Sequence, residues 1–392
     1  MKMLTEAFND VAARLLAHHE NDTTDQTAEI TTLSTEYYLD ADLWRREVDL
    51  IFKRLPIMLG FSCELKETGA YKAMTVVETP VILMRGSDGK ARAFLNVCIH
   101  RGTLLKPDGK GECRRLVCPY HAWTYDDKGA LVGIADAQKF GDYDKTGRGL
   151  TELPCEERAG MIWVVLTPGL PLDLESYLGE MLRELEWLEI DTWSIYEQRR
   201  LDCANWKAAH DGYVDGYHIE FLHANTIATF SKGDVNTFDA FGPHQRIGFA
   251  NQDIAKLKKI PRADWVPNDG YTFVRTIFPH VSLAVTKGGG GLISQLFPGP
   301  TPDTSYTIQS HIYAHLPQTD EERALADASV EMIYGAVRDE DYAMVSGIQR
   351  GMESGAIKEV VFGRNEMGNR RLHDWIKYYS QKAPDPAQRP NP

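Results

Sequence analysis

Apolar residues Leu4, Phe8, Ala12, Leu15 and Leu16 recur every three to four positions, which predicts an N-terminal helix with one buried face. The polar stretch 20–27, rich in Asn, Asp and Thr, ends that pattern and reads as a linker. From about 31 to 168 the texture becomes strand-like. Residues 81–85 and 93–97 flank Ser87-Asp88-Gly89-Lys90, a hairpin pattern, and Asp127-Lys128-Gly129 after Trp123 and Tyr125 predicts a second. The apolar run 161–166 reads as a buried strand. Pro168, Gly169 and Pro171 then punctuate the chain, and Tyr177, Met181, Leu182, Leu185 and Leu188 mark an amphipathic helix. Apolar strands are predicted near 273–278, 281–286, 291–297 and 306–314, followed by helix from 320 to about 352. The fold class implied is α+β. A helix and linker (1–36) pack on the C-terminal domain, residues 37–168 form an all-β domain, 169–383 form an antiparallel sheet flanked by helices, and the Pro-rich stretch 384–392 is a loose tail.

With 392 residues the chain is long enough for two or three domains. Its 43 Lys and Arg against 56 Asp and Glu give a net charge of -13, which disfavours a nucleic-acid or anionic-membrane partner. No apolar run approaches the roughly 18 residues that span a bilayer. Glu6 and Asp10 interrupt the N-terminal segment, which has none of the blocks of a secretory signal, so a cytoplasmic location is expected. Six dispersed cysteines, at 63, 98, 113, 118, 155 and 203, fit reduced thiols better than a disulfide framework.

Two constellations carry chemistry. Cys98-Ile99-His100-Arg101-Gly102 and Cys118-Pro119-Tyr120-His121-Ala122-Trp123 place one Cys and one His on each of two loops, with seventeen residues between His100 and Cys118. A structural zinc finger groups Cys with Cys and His with His. The mixed loops instead suit a two-iron cluster in which imidazoles replace two thiolates, the Rieske arrangement, which works as a one-electron carrier at roughly -150 to +300 mV. Cys113 between the loops, with Cys63, Cys155 and Cys203, is assigned to packing.

The second constellation is Asn205-Trp206-Lys207 followed by Asp211, Asp215, His218 and His223. Two histidines near carboxylates suggest a mononuclear metal, but at 3.6 residues per turn positions five apart point about 140° apart, so a bend, a π-bulge or a helix end must bring them together. Asp215, three residues before His218, is placed to accept from the ring nitrogen that a metal leaves free. A third ligand must come from elsewhere, and the cluster Asp339-Glu340-Asp341 is the leading source. Apolar candidates for pocket walls are Phe221, Leu222, Ile227, Phe230, Phe278, Val285 and Phe297. Arg246, Arg275, Lys287 and His244 are read as surface groups, and the glycine-rich 287–291 as a turn.

Together the two motifs resemble the large (α) subunits of Rieske non-heme iron aromatic-ring-hydroxylating oxygenases, over about residues 37–352. The resemblance implies a Rieske [2Fe-2S] domain followed by a catalytic domain, with Cys98, His100, Cys118 and His121 holding the cluster. His218, His223 and Asp341 would hold one Fe(II), Asp341 being favoured over Glu340 by the acidic pair that precedes Gln349-Arg350-Gly351. Asp215 would link His218 to His121 of the partner subunit in a head-to-tail homotrimer, with or without small β subunits. Ala122 stands where many relatives have Gly, a change the loop can absorb only if that position keeps φ below zero. The implied activity is O2-dependent hydroxylation or dihydroxylation of an aromatic or related hydrophobic substrate, with oxidative N- or O-demethylation or hydroxylation of a non-aromatic compound as the alternative. A Rieske protein that only transfers electrons is a third reading. No dinucleotide-binding glycine fingerprint occurs, so NADH and flavin belong to a separate reductase, with a ferredoxin as a further carrier.

Overall fold

Seven antiparallel strands form the largest sheet, in the order Ser194–Cys203, Ser305–Tyr313, Gly290–Pro298, Val281–Val285, Tyr271–Ile277, His244–Asn251 and Ser231–Phe241. The computed structural model describes residues 2–384 and 388–390, so most of the expected tail lies outside the described residues. The chain divides into two units, one of Met1–Ile51, Leu178–Leu188 and Trp193–Pro392, the other of Phe52–Tyr177 and Glu189–Thr192. Residues 37–51 therefore fall with the larger unit, whereas the sequence pattern puts them in the β domain.

Alternation along the strands gives the large sheet two different faces. On one, the helix Lys2–Asn21 buries Phe8, Val11, Ala12 and Leu15 against Val235, Ala250, Tyr271 and Phe273. Arg246 and Arg275 also lie within this unit, buried rather than at the surface as expected. The carboxylate of Glu184 accepts from both: Arg275 Nε donates at 2.6 Å, and Arg246 pairs with the other oxygen and with Asp239 at 2.9 Å. His244 is also fully buried, its Nδ1 accepting from the Phe278 amide at 3.1 Å. Residues 286–289 turn between adjacent strands of the sheet, and Gly290 and Gly291 begin the second of them.

On the other side, Ala208 and Ala209 of the helix Trp206–Tyr213 pack with Leu296 of the sheet and with Val337, Tyr342, Val345 and Met352. Asn205 caps that helix, its side chain accepting from the amides of Lys207 and Ala208. Trp206 Nε1 and Lys207 Nζ both donate to the buried carboxylate of Glu47, at 3.1 and 2.5 Å. Each residue of Asn-Trp-Lys thus has a separate part in fixing the helix that leads to Asp215. Burial pushes the Glu47 carboxyl upward despite the opposing charge of Lys207. Removing one partner of such a pair strands a buried charge, so Lys207→Met is expected to lower stability by about 3–5 kcal/mol in denaturant unfolding. A Glu47→Gln/Lys207→Met double variant should lose much less.

The smaller unit is mainly β. It holds a five-stranded sheet (Glu152–Leu153, Ala91–Leu95, Thr79–Arg85, Ala70–Val76, Gly109–Glu112) and two three-stranded sheets, one of them built from Leu116–Val117, Thr124–Tyr125 and Leu131–Gly133. Ile82, Met84, Phe94, Leu116, Trp123 and Tyr125 form its core together with Cys98 and Cys118.

Candidate metal centres

The two Cys-His loops are built alike. In the first, Cys98 N donates to Thr103 O at 2.8 Å and Gly102 N to Cys98 O at 2.9 Å; in the second, Cys118 N donates to Trp123 O at 2.8 Å and Ala122 N to Cys118 O at 3.0 Å. Each loop closes on a residue in the left-handed region, Gly102 at φ +79° and Ala122 at φ +54°. The condition of a negative φ at Ala122 is therefore not met, because the amide of Ala122 must turn back onto Cys118 as that of Gly102 does onto Cys98. A left-handed alanine costs about 1–2 kcal/mol, part of which glycine returns as unfolded-state entropy. Ala122→Gly should accordingly stabilise this unit by roughly 0.5–1 kcal/mol, read as a higher melting temperature.

Both cysteines are buried, and the imidazole of His100 stacks on Trp123 with centroids 4.6 Å apart and lies 4.7 Å from the ring of His121. The Tyr125 hydroxyl sits 3.1 Å from Cys98 Sγ and accepts from the Ile99 amide. The Nδ1 atoms of His100 and His121 are shielded from solvent and have no hydrogen-bond partner. Two buried sulfurs and two orphaned imidazole nitrogens are the donor set of a Rieske cluster, and bound iron would satisfy the nitrogens.

In the larger unit His218 and His223 occupy the two ends of a single turn, Ile219–Leu222, as N-cap and C-cap. Helix ends thus solve the five-residue spacing. The opposing carboxylates come from a π-helical turn, Ala336–Asp341, set between the helices Asp320–Gly335 and Tyr342–Glu353. Asp341 Oδ1 lies 3.0 Å from His223 Nε2 and 3.6 Å from His218 Nε2, and one donor atom from each of the three falls within 4.8 Å of the others. Behind each imidazole stands a further carboxylate: Asp215 Oδ2 is 2.9 Å from His218 Nδ1, and Glu340 Oε2 is 2.5 Å from His223 Nδ1. With both Nδ1 protons held in this way, two Nε2 lone pairs face an anionic oxygen, an arrangement that calls for a cation. Burial acts to lower the pKa of His223, but hydrogen bonds and charge from Asp341 and Glu340 outweigh it and raise the value, so the site favours positive charge. Two imidazoles and one carboxylate on a single side are the facial set used by non-heme Fe(II).

Asp215, His218, His223 and Asp341 line one side of a cavity of about 300 Å³. Ile227, Phe230, Phe249, Val285, Leu292 and Ile333 supply apolar wall, with His311 and Tyr313 from the sheet. Phe221 and Leu222 line instead an outer concavity of about 530 Å³, together with Asp215, His218 and Asp341. Phe278 and Phe297 are buried core residues that line neither.

Residues 56–153 match the Rieske [2Fe-2S] domain, and residues 190–382 match the ring hydroxylating alpha subunit catalytic domain. The chain belongs to the Rieske oxygenase large-subunit family. A glycine betaine monooxygenase oxygenase subunit from Pseudomonas aeruginosa (strain UCBPP-PA14) is 28% identical over 238 residues, covering 59% of this chain and 54% of that protein. The chain thus spans about half the length of the first curated relatives it matches. Among solved structures, the apo form of the quaternary ammonium Rieske monooxygenase CntA shares the fold with a TM-score of 0.75 at 20% identity, over 95% of this chain and 98% of that one. Naphthalene 1,2-dioxygenase with indole bound gives 0.74 at 20% identity, over 91% and 93%.

Sequence reasoning on this Rieske oxygenase chain missed the pairing of Glu340 with His223. Glu340 and Asp341 are neighbours, and only the π turn lets both reach one ring, from its two nitrogens. Thr226 Oγ1 also donates to Glu340, at 2.8 Å. The stacking of Trp123 on His100 was equally unreadable, although Trp123 adjoins the second loop.

Proposed function

We propose that this chain is the terminal oxygenase component of a multicomponent system, hydroxylating or dihydroxylating an aromatic or related hydrophobic substrate with O2 and NADH-derived electrons. The observation that carries the reading is the His218, His223 and Asp341 set opening into an apolar cavity, in a chain that also holds the Cys98, His100, Cys118 and His121 set. When bound, the two groups supply one-electron transfer and activation of O2 at Fe(II).

The chain's own residues prepare both centres. Asp215 and Glu340 hold the Nδ1 protons of His218 and His223, so that each ring offers Nε2. The Tyr125 hydroxyl, 3.1 Å from Cys98 Sγ, would donate to a cluster-bound thiolate there. Walls of Ile227, Phe230, Val285 and Leu292 orient an apolar molecule and keep water from the reacting position.

A head-to-tail homotrimer is part of the reading. Exposed Phe221, Met344, Ile348 and Val361 line the concavity that contains Asp215, with exposed Tyr217 against the Phe221 ring, while Ile99, Leu104, Val117 and Tyr120 are exposed around the cluster loops. Apolar surface of this kind on both units suits burial between copies, with Asp215 of one chain reaching His121 of the partner subunit. Reductase and ferredoxin partners and a cytoplasmic location complete the proposal; among the described residues no helix is long and apolar enough to cross a membrane.

Single turnover of the chemically reduced protein under 18O2, with a panel of aromatic acids, amines and polycyclics, tests the proposal by mass spectrometry. Two labelled oxygens in one product support dihydroxylation, one supports hydroxylation, and an unlabelled product that has lost a methyl group, with formaldehyde released, supports the demethylating alternative. No labelled product, no demethylated product and no formaldehyde from any compound, with both centres loaded, would leave electron transfer alone as the function.

A further inference from the structure

The catalytic cavity contains a feature that its metal chemistry does not use. His311, on the strand Ser305–Tyr313, lines it and is only 4% exposed, yet its Nε2 has no hydrogen-bond partner. Among the described residues lining this cavity none is Lys or Arg, and the two carboxylates, Asp215 and Asp341, both belong to the metal end. The rest of the wall is aliphatic, aromatic or hydroxylic.

We infer that His311 is a specificity-determining residue, and that the substrate is an uncharged, largely apolar ring compound carrying one neutral hydrogen-bonding group that meets the His311 imidazole. This inference rests on the oxygenase reading and narrows its substrate class. A buried polar atom without a partner is costly in the empty site, and a ligand that supplies the partner recovers that cost. A carboxylate or sulfonate would enter a low-dielectric space whose described lining offers no Lys or Arg to pair with it, while the charge of a bound Fe(II) is already balanced by Asp215 and Asp341, which disfavours the anion. Burial pulls the His311 imidazole down to about 4, against the raising influence of Glu197, so the ring is neutral at working pH and offers no charge to an anion. The roughly 300 Å³ of space lies at the small end of ligand pockets and suits a molecule of one or two rings.

The test is binding rather than turnover, on the fully loaded protein held oxidised and anaerobic, by calorimetry or fluorescence with three probes of one shape: 1-naphthol, 1-methylnaphthalene and 1-naphthoate. Wild type should bind 1-naphthol at least about tenfold more tightly than 1-methylnaphthalene, and 1-naphthoate at least about tenfold more weakly than either. In His311→Leu the preference for 1-naphthol over 1-methylnaphthalene should shrink to within about twofold, and His311→Gln, which keeps a hydrogen-bonding group, should restore part of it. Preference for 1-naphthoate, a margin untouched in His311→Leu, or failure of both neutral probes to bind would overturn the inference. Iron is counted in the same samples. Protein with a full mononuclear site that prefers the anion loses the substrate class and keeps the oxygenase reading, whereas protein that takes up no mononuclear iron loses the oxygenase reading itself.

Discussion

Asp215→Ala is expected to leave cluster and mononuclear iron bound while steady-state turnover falls by roughly a hundredfold or more. Asp215 is not among the three groups whose donor atoms converge, so its loss removes no ligand. What goes is the acceptor 2.9 Å from His218 Nδ1, and with it the fixed tautomer and ring orientation. In the trimer proposed above, the contact toward His121 of the partner subunit is lost as well. Two readouts separate these roles from simple damage to the fold: the iron count, which should stay near the wild-type value, and the rate at which the reduced cluster is reoxidised by O2 and substrate, which should collapse with turnover. Asp215→Asn, which still offers an oxygen to Nδ1 but no charge, should recover part of the activity. Turnover within a few fold of wild type in Asp215→Ala would show that the contact carries neither role.

Asp341→Ala is expected to empty the mononuclear site, with occupancy falling more than roughly tenfold, while the cluster keeps its absorption and electron resonance spectra. Glu340→Ala is expected to behave differently. Asp341 Oδ1 faces both Nε2 atoms, whereas Glu340 stands on the far side of His223, against Nδ1. Loss of Glu340 should therefore weaken iron binding by about 10- to 100-fold, a deficit that excess Fe(II) overcomes, and loss of Asp341 should not be rescued in this way. Rescue of Asp341→Ala by iron, with none for Glu340→Ala, would exchange the two assignments.

The legible and illegible parts of this protein divide along physical lines. The strands 271–277, 281–285, 290–298 and 305–313 were readable because they are apolar runs between turn residues, and the cluster loops because Cys and His types at a fixed spacing carry their own chemistry. Ser194–Cys203 and Ser231–Phe241 were not. Both are edge strands, the first with Glu197, Gln198, Arg199 and Arg200 in succession, the second interrupted by an irregularity between Lys232 and Asn236. His244–Asn251 is almost wholly buried yet reads as polar, because Arg246 is neutralised by Glu184 and Asp239, which are distant in sequence or on another strand. The same limit applied at the iron site. Asp215 and His218 were close enough in sequence for their contact to be inferred, whereas the meeting of His223 with Glu340 spans 117 positions and depends on a π turn that no periodicity announces.

The proposed chemistry needs two metal centres in one polypeptide. Anaerobic purification followed by quantitation of iron, acid-labile sulfide and zinc measures this directly. The prediction is three irons and two sulfides per chain, from one [2Fe-2S] cluster in the domain at 56–153 and one iron at His218, His223 and Asp341. Two irons that persist after reconstitution with excess Fe(II), or zinc in place of iron, would contradict it.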